Sequence, residues 1–139
     1  AGAGRGHAMA GPLPHTLQAA ALVDGLRTEL VLTRYRDRLV LVATQLRKLG
    51  TVLECAAELS ATGGETATNV RVLLGRRDEP ALRALGTRLA QLLAERHGSE
   101  VPVLLCLGFK APSTETLRAV LELLLQHAGE LLGRPRGAA

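Results

Sequence analysis

A chain of 139 residues, 47% of them apolar, is long enough for one domain around one core. No apolar run approaches the ~20 residues of a membrane-spanning helix, and the chain opens with no signal-peptide pattern. A formal charge of +4, scattered along the chain, and only Tyr35 and Phe109 as aromatics argue against membrane and nucleic-acid partners and for a cytoplasmic protein.

Residues 1–14, AGAGRGHAMAGPLP, are rich in Gly and Ala, show no apolar period and contain two prolines. They are expected to form a disordered arm, and residues 133–139 (GRPRGAA) a disordered tail. Residues 15–132 are expected to form a single domain.

Three strands are predicted first, at 17–23, 27–35 and 38–46. Asp24-Gly25 marks a hairpin turn between the first two, and Arg36-Asp37 a tight turn between the next two. After Gly50, TVLECAA (51–57) reads as a fourth strand. A polar loop with a Gly-Gly pair follows, and VRVLL (70–74) reads as a fifth strand.

In LGRRDEP the apolar run stops at Gly75 and helix-start signals follow. Asp78 is placed to cap, Glu79 suits the positive end of the helix dipole, and Pro80 fits the first turn. Leu82, Leu85, Leu89, Leu92 and Leu93 fall on one helical face, and Gly98 is placed to end the helix. VPVLLCLGF (101–109) predicts a strand buried on both faces. Ser113 then opens a second helix with a stripe of Leu117, Val120, Leu121, Leu124, Ala128 and Leu131. Leu123 and Leu125 lie off that stripe and read as surface leucines or as an extension of an interface. The order βββββαβα predicts an α+β fold: a mainly antiparallel sheet of about six strands, with two amphipathic helices packed on one face.

Parity divides the sheet's faces. A two-residue turn at Arg36-Asp37 pairs Leu32 with Leu41 and Leu30 with Ala43. Leu30, Leu32, Leu39 and Leu41 then share one face, suited to the helices. Glu29, Val31, Thr33, Tyr35, Val40, Val42 and Thr44 share the other, which is mixed and still quite apolar for a solvated face. Two helices cover one side of a sheet, so Val31, Thr33, Tyr35, Val40 and Val42 are the expected dimer contact.

Catalytic chemistry finds little support. LGRRDEP has one glycine and a proline without a donor, so it is a poor phosphate loop. His7, His15, His97 and His127 show no metal-ligand spacing, and His97 sits at a helix end that favours a cation. Cys55 and Cys106 read as buried free thiols, although sequence leaves a disulfide between them open. No enzyme activity and no cofactor are expected. A small enzyme using Arg76, Arg77 and a spatial Cys–His pair ranks last.

Three stretches together resemble the proteasome assembly chaperone 3 family: RLVLVATQLRKLGTVLE (38–54), VRVLLGRRDEPALRALGTRLAQLL (70–93), and VPVLLCLGFK with TLRAVLELL. The pieces that carry the resemblance are Thr44-Gln45, the Gly50-Thr51 turn and the VLLG…DEP joint. Arg76-Arg77 makes that joint one residue longer than the family pattern, and the N-terminal arm has no counterpart. The resemblance implies a non-enzymatic chaperone that pairs with proteasome assembly chaperone 4. The pair would promote assembly of the 20S proteasome alpha-ring, chiefly through the alpha-5 subunit. A homodimer is possible for the chain alone. Arg47, Lys48, Arg76, Arg77 and the loop 59–69 are candidates for client contact. The alternative is a roadblock-like dimeric adaptor, whose element order would begin with a helix.

Overall fold

The structure, a computed structural model, describes residues 12–46, 49–58, 67–75 and 79–133. Most of the expected arm and tail lies outside these residues. Six strands and two helices follow in the predicted order: β1 (His15–Val23), β2 (Leu26–Arg34), β3 (Leu39–Thr44), β4 (Thr51–Glu58), β5 (Ala67–Leu74), α1 (Pro80–His97), β6 (Val103–Gly108) and α2 (Thr114–Leu132). Among the described residues the first helix follows five strands, unlike the helix-first order of a roadblock-like adaptor.

Local chemistry sets the hairpins. Asp24 and Gly25 both have positive φ, 52° and 75°, which matches the twist of a two-residue hairpin loop. Val23 and Leu26 close it as a pair. At the next turn the Tyr35 N–H donates to the Arg38 carbonyl at 2.9 Å, so the loop holds two residues and Leu32 faces Leu41 as parity requires.

The sheet order is β1-β2-β3-β6-β4-β5. β6 inserts between β3 and β4, parallel to the first and antiparallel to the second. One row of side chains crosses all six strands: Leu17, Leu32, Leu41, Leu105, Leu53 and Val72. It faces the helices. α1 lies over β4 and β5, and α2 over β1, β2 and β3. Leu32, Leu41, Leu53 and Leu105 are fully buried, each worth about 1.5–3 kcal/mol of hydrophobic stabilisation.

The helix ends differ from the expectation in detail. Pro80 occupies the first turn of α1 as predicted, but Glu79 holds the cap position and makes no side-chain cap bond. Asp78, the expected cap, lies outside the described residues. Gly98 ends α1 at φ 67°. Ser113 caps α2, its hydroxyl accepting from the Thr116 N–H at 3.1 Å. The Thr116 hydroxyl in turn donates to Asp24, tying the first hairpin to the second helix. Leu125 is buried in the core rather than at the surface. α2 spans three strands, so its buried stripe is wider than the strict period suggests.

Candidate partner interface

The strand residues one step out of phase with the leucine row point away from both helices. Their middle row reads Gln18, Val31, Val42, Cys106 and Val52, and a register shift between β4 and β5 sets Leu74 opposite Val52. The next row reads Thr16, Thr33, Val40, Leu104, Glu54 and Arg71. The centre of this open face is therefore a strip of valines, Leu104 and Cys106. Val31, Val40, Val42, Val52 and Leu104 are half-buried, and Leu74 is 57% exposed. Polar pairs mark its margins. The Thr16 and Thr33 hydroxyls lie 3.1 Å apart, Arg71 Nε donates to Glu54 at 3.1 Å, and Arg27 lies 3.6 Å from Glu29. An apolar centre with a polar rim is the anatomy of a protein interface.

Four of the five residues singled out from sequence form one block here, with Val31 opposite Val42 and Thr33 opposite Val40. Tyr35 stands at the margin, 43% exposed, beyond the end of β2. Sequence reasoning missed Leu104, Cys106, Val52 and Leu74. β6 is buried at five of its six residues, as its continuous apolar run predicts. Only one of its faces meets helices, and the other, with Leu104 half-buried, forms the middle of the open strip. A continuous apolar run carries no alternation from which to read that difference. Arg47, Lys48, Arg76 and Arg77 lie outside the described residues.

The glycine of LGRRDEP has a packing role at the end of β5. Gly75 has φ 104°, and a Cβ there would sit 2.7 Å from the Gly50 carbonyl oxygen and 2.9 Å from the Thr51 hydroxyl. The glycine lets the end of β5 pass the Gly50-Thr51 turn. Thr44 and Gln45 are also structural ties. The Thr44 hydroxyl donates to the Gly108 carbonyl at 3.3 Å, joining the ends of β3 and β6. The Gln45 amide donates to the Thr28 hydroxyl at 3.0 Å and the Val23 carbonyl at 3.4 Å.

The nucleophile candidates are placed for packing. Cys55 lies on the helix side of β4, and a Cβ at Gly86 of α1 would sit 2.7 Å from its sulfur. Burial, reinforced by Glu54, pushes the Cys55 thiol up to about 12. Cys106 lies on the opposite face, where burial also raises its thiol above the ordinary value. Both cysteines are free, and their opposite faces exclude a disulfide between them. His97 departs from the expected cation: burial lowers its pKa, and Arg96 adds to the shift. Its ring packs on Gly129, whose added Cβ would meet the ring at 3.3 Å. His127 Nδ1 lies 3.7 Å from Glu130, and among the described residues no three metal-ligating side chains converge.

Comparison with known proteins decides the family. The model of proteasome assembly chaperone 3 matches residues 41–127. The chain belongs to the proteasome assembly chaperone 3 family. The Bos taurus proteasome assembly chaperone 3 is 31% identical over 114 residues, covering 81% of this chain and 92% of that one. The Nematostella vectensis protein of the same name is 30% identical over 122 residues, covering 82% and 89%. A chain from the crystal structure of a novel chaperone complex for yeast 20S proteasome assembly matches with a TM-score of 0.58 at 12% identity, covering 83% of this chain and 98% of that one. The yeast match speaks for the fold. The three pieces that carried the resemblance, Thr44-Gln45, Gly50-Thr51 and the Gly75 joint, bind one end of this family member's sheet together.

Proposed function

We propose that this chain acts without catalysis as an assembly chaperone for the 20S proteasome alpha-ring, paired with proteasome assembly chaperone 4 through its open sheet face. The observation that carries the reading is the apolar strip Val31, Val42, Cys106 and Val52 on the side without helices, in a chain of this family. Val40, Thr33 and Leu104 widen that contact, and Tyr35 borders it. A cytoplasmic location fits this role, and among the described residues no helix is long and apolar enough to cross a membrane.

Alpha subunits, chiefly alpha-5, are the proposed clients, and Arg47, Lys48, Arg76 and Arg77 the proposed basic contacts. The described residues that flank them lie where β3 and β5 end and β4 begins, which is one end of the sheet. A second copy of the chain is the proposed occupant of the open face when chaperone 4 is absent.

Light scattering after size exclusion tests the pairing, for the chain alone and mixed with chaperone 4. Val42→Asp puts a carboxylate in the middle of the strip. Leaving that charge unpaired in an interface costs several kcal/mol, so pairing is expected to weaken at least about 100-fold. The monomer should stay folded by circular dichroism. Pairing that survives Val42→Asp would place the contact elsewhere.

A further inference from the structure

The two helices run side by side in the same direction. At their C-terminal ends His97 packs against Gly129. At their N-terminal ends small residues face the gap, and a groove of about 400 Å³ opens between them. Ala81, Ala84, Leu85, Leu117 and Leu121 give it an apolar floor. Arg88 and Arg118, both exposed, stand on its rim, and among the described residues no acidic side chain lines it. Among the described residues Arg88 donates to the Gln91 side chain and meets no carboxylate. The groove also lies at the positive ends of both helix dipoles.

We infer that this groove receives an aliphatic side chain carried by an acidic segment of a partner protein. The floor is aliphatic and lacks aromatics, so it suits leucine-like side chains and offers no stacking surface for bases. Arg118 lies one turn from Glu115 and Glu122 on α2, but among the described residues neither it nor Arg88 forms an ion pair, and the two guanidiniums complement carboxylates flanking that side chain. The groove lies on the opposite side of the sheet from the open strip. A partner paired through the strip leaves it accessible. On the chaperone reading the segment comes from the client subunit; that assignment rests on the reading, whereas the groove's chemistry does not.

Two measurements separate these claims. In the first, a fluorescein-labelled peptide of leucines and glutamates at helical spacing is titrated with the isolated chain by anisotropy. A lysine-for-glutamate counterpart and a single-stranded oligonucleotide serve as alternative probes. The glutamate peptide should bind, weaken with added salt, and bind at least about tenfold less tightly to Ala84→Trp and to the Arg88→Glu/Arg118→Glu double variant. Both changes sit on exposed helix positions, and circular dichroism checks the fold. No binding at millimolar peptide, equal binding of the lysine peptide or oligonucleotide, or indifference to both variants overturns the inference. In the second, the variants are co-expressed with chaperone 4 and tested for capture of alpha subunits. Retained pairing with lost capture supports the client role, and undiminished capture overturns it. A wild-type complex that captures nothing would end the chaperone reading while a positive peptide result still upholds the groove.

Discussion

Leu104 and Leu105 are neighbours in one strand and belong to different surfaces. Leu105 sits in the leucine row that faces the helices, at 0% exposure. Leu104 points the other way, into a strip of nearly equal hydrophobicity with no helix over it. Apolar side chains on a covered face explain folding. The same kind of side chain on an uncovered face needs a second explanation, and the pairing proposed above offers one. The margins sharpen the contrast: the leucine row stays apolar to both sheet edges, whereas the row through Leu104 ends in Thr16 and Arg71.

Truncating each leucine tests that division, with the largest effect on the covered side. Leu105→Ala leaves a cavity under both helices and should cost about 2–5 kcal/mol in urea unfolding. Leu104→Ala should cost the monomer less than about 1.5 kcal/mol and show instead as weaker pairing. Equal losses of monomer stability would erase the distinction between the faces.

The next effect concerns how tightly the covered face is closed. Gly86 lets α1 approach β4 over the Cys55 sulfur. Gly86→Ala drives a methyl into that contact and should destabilise by about 1–3 kcal/mol, despite the better helix propensity of alanine. Adding Cys55→Ala removes the obstructing sulfur and should recover much of the loss. A double-mutant cycle on the urea midpoints measures that coupling. Additive losses would mean that the glycine is needed for another reason.

The covered and open faces were legible from sequence to different degrees. The two-residue turns at Asp24-Gly25 and Arg36-Asp37 fix the registers of β1, β2 and β3 locally, and every later side-chain direction in those strands follows by parity. The block of Val31, Thr33, Val40 and Val42 was readable for that reason. The place of β6 was not, because its pairing with β3 joins residues far apart in the chain, such as Leu41 with Leu105. Half of the open strip lies on β6 and the strands beyond it, so Leu104, Cys106, Val52 and Leu74 came into view only with the sheet order. The groove between the helices depends on how α1 and α2 lie against each other. Alanines 81 and 84 read alone are merely good helix formers.

The smallest expected effect concerns the closed end of the helix pair. Position alone favours a protonated ring at the end of α1, since the helix dipole attracts a cation there. Burial against α2 opposes it, Arg96 adds repulsion, and the His97 pKa falls below its ordinary 6.5. The unfolded chain then binds the proton more readily than the folded one. Stability should therefore be unaffected by this ring well above pH 6.5 and should fall as pH drops through 6.5 toward the lowered folded value. The ring is only half-buried, so solvent screening keeps the loss small. His97→Gln should flatten that part of the stability–pH curve, measured as urea midpoints between about pH 5 and 8. A midpoint that instead rises on acidification in the wild type, and not in His97→Gln, would show that the dipole governs the ring and that the helix ends are more open than their packing on Gly129 implies.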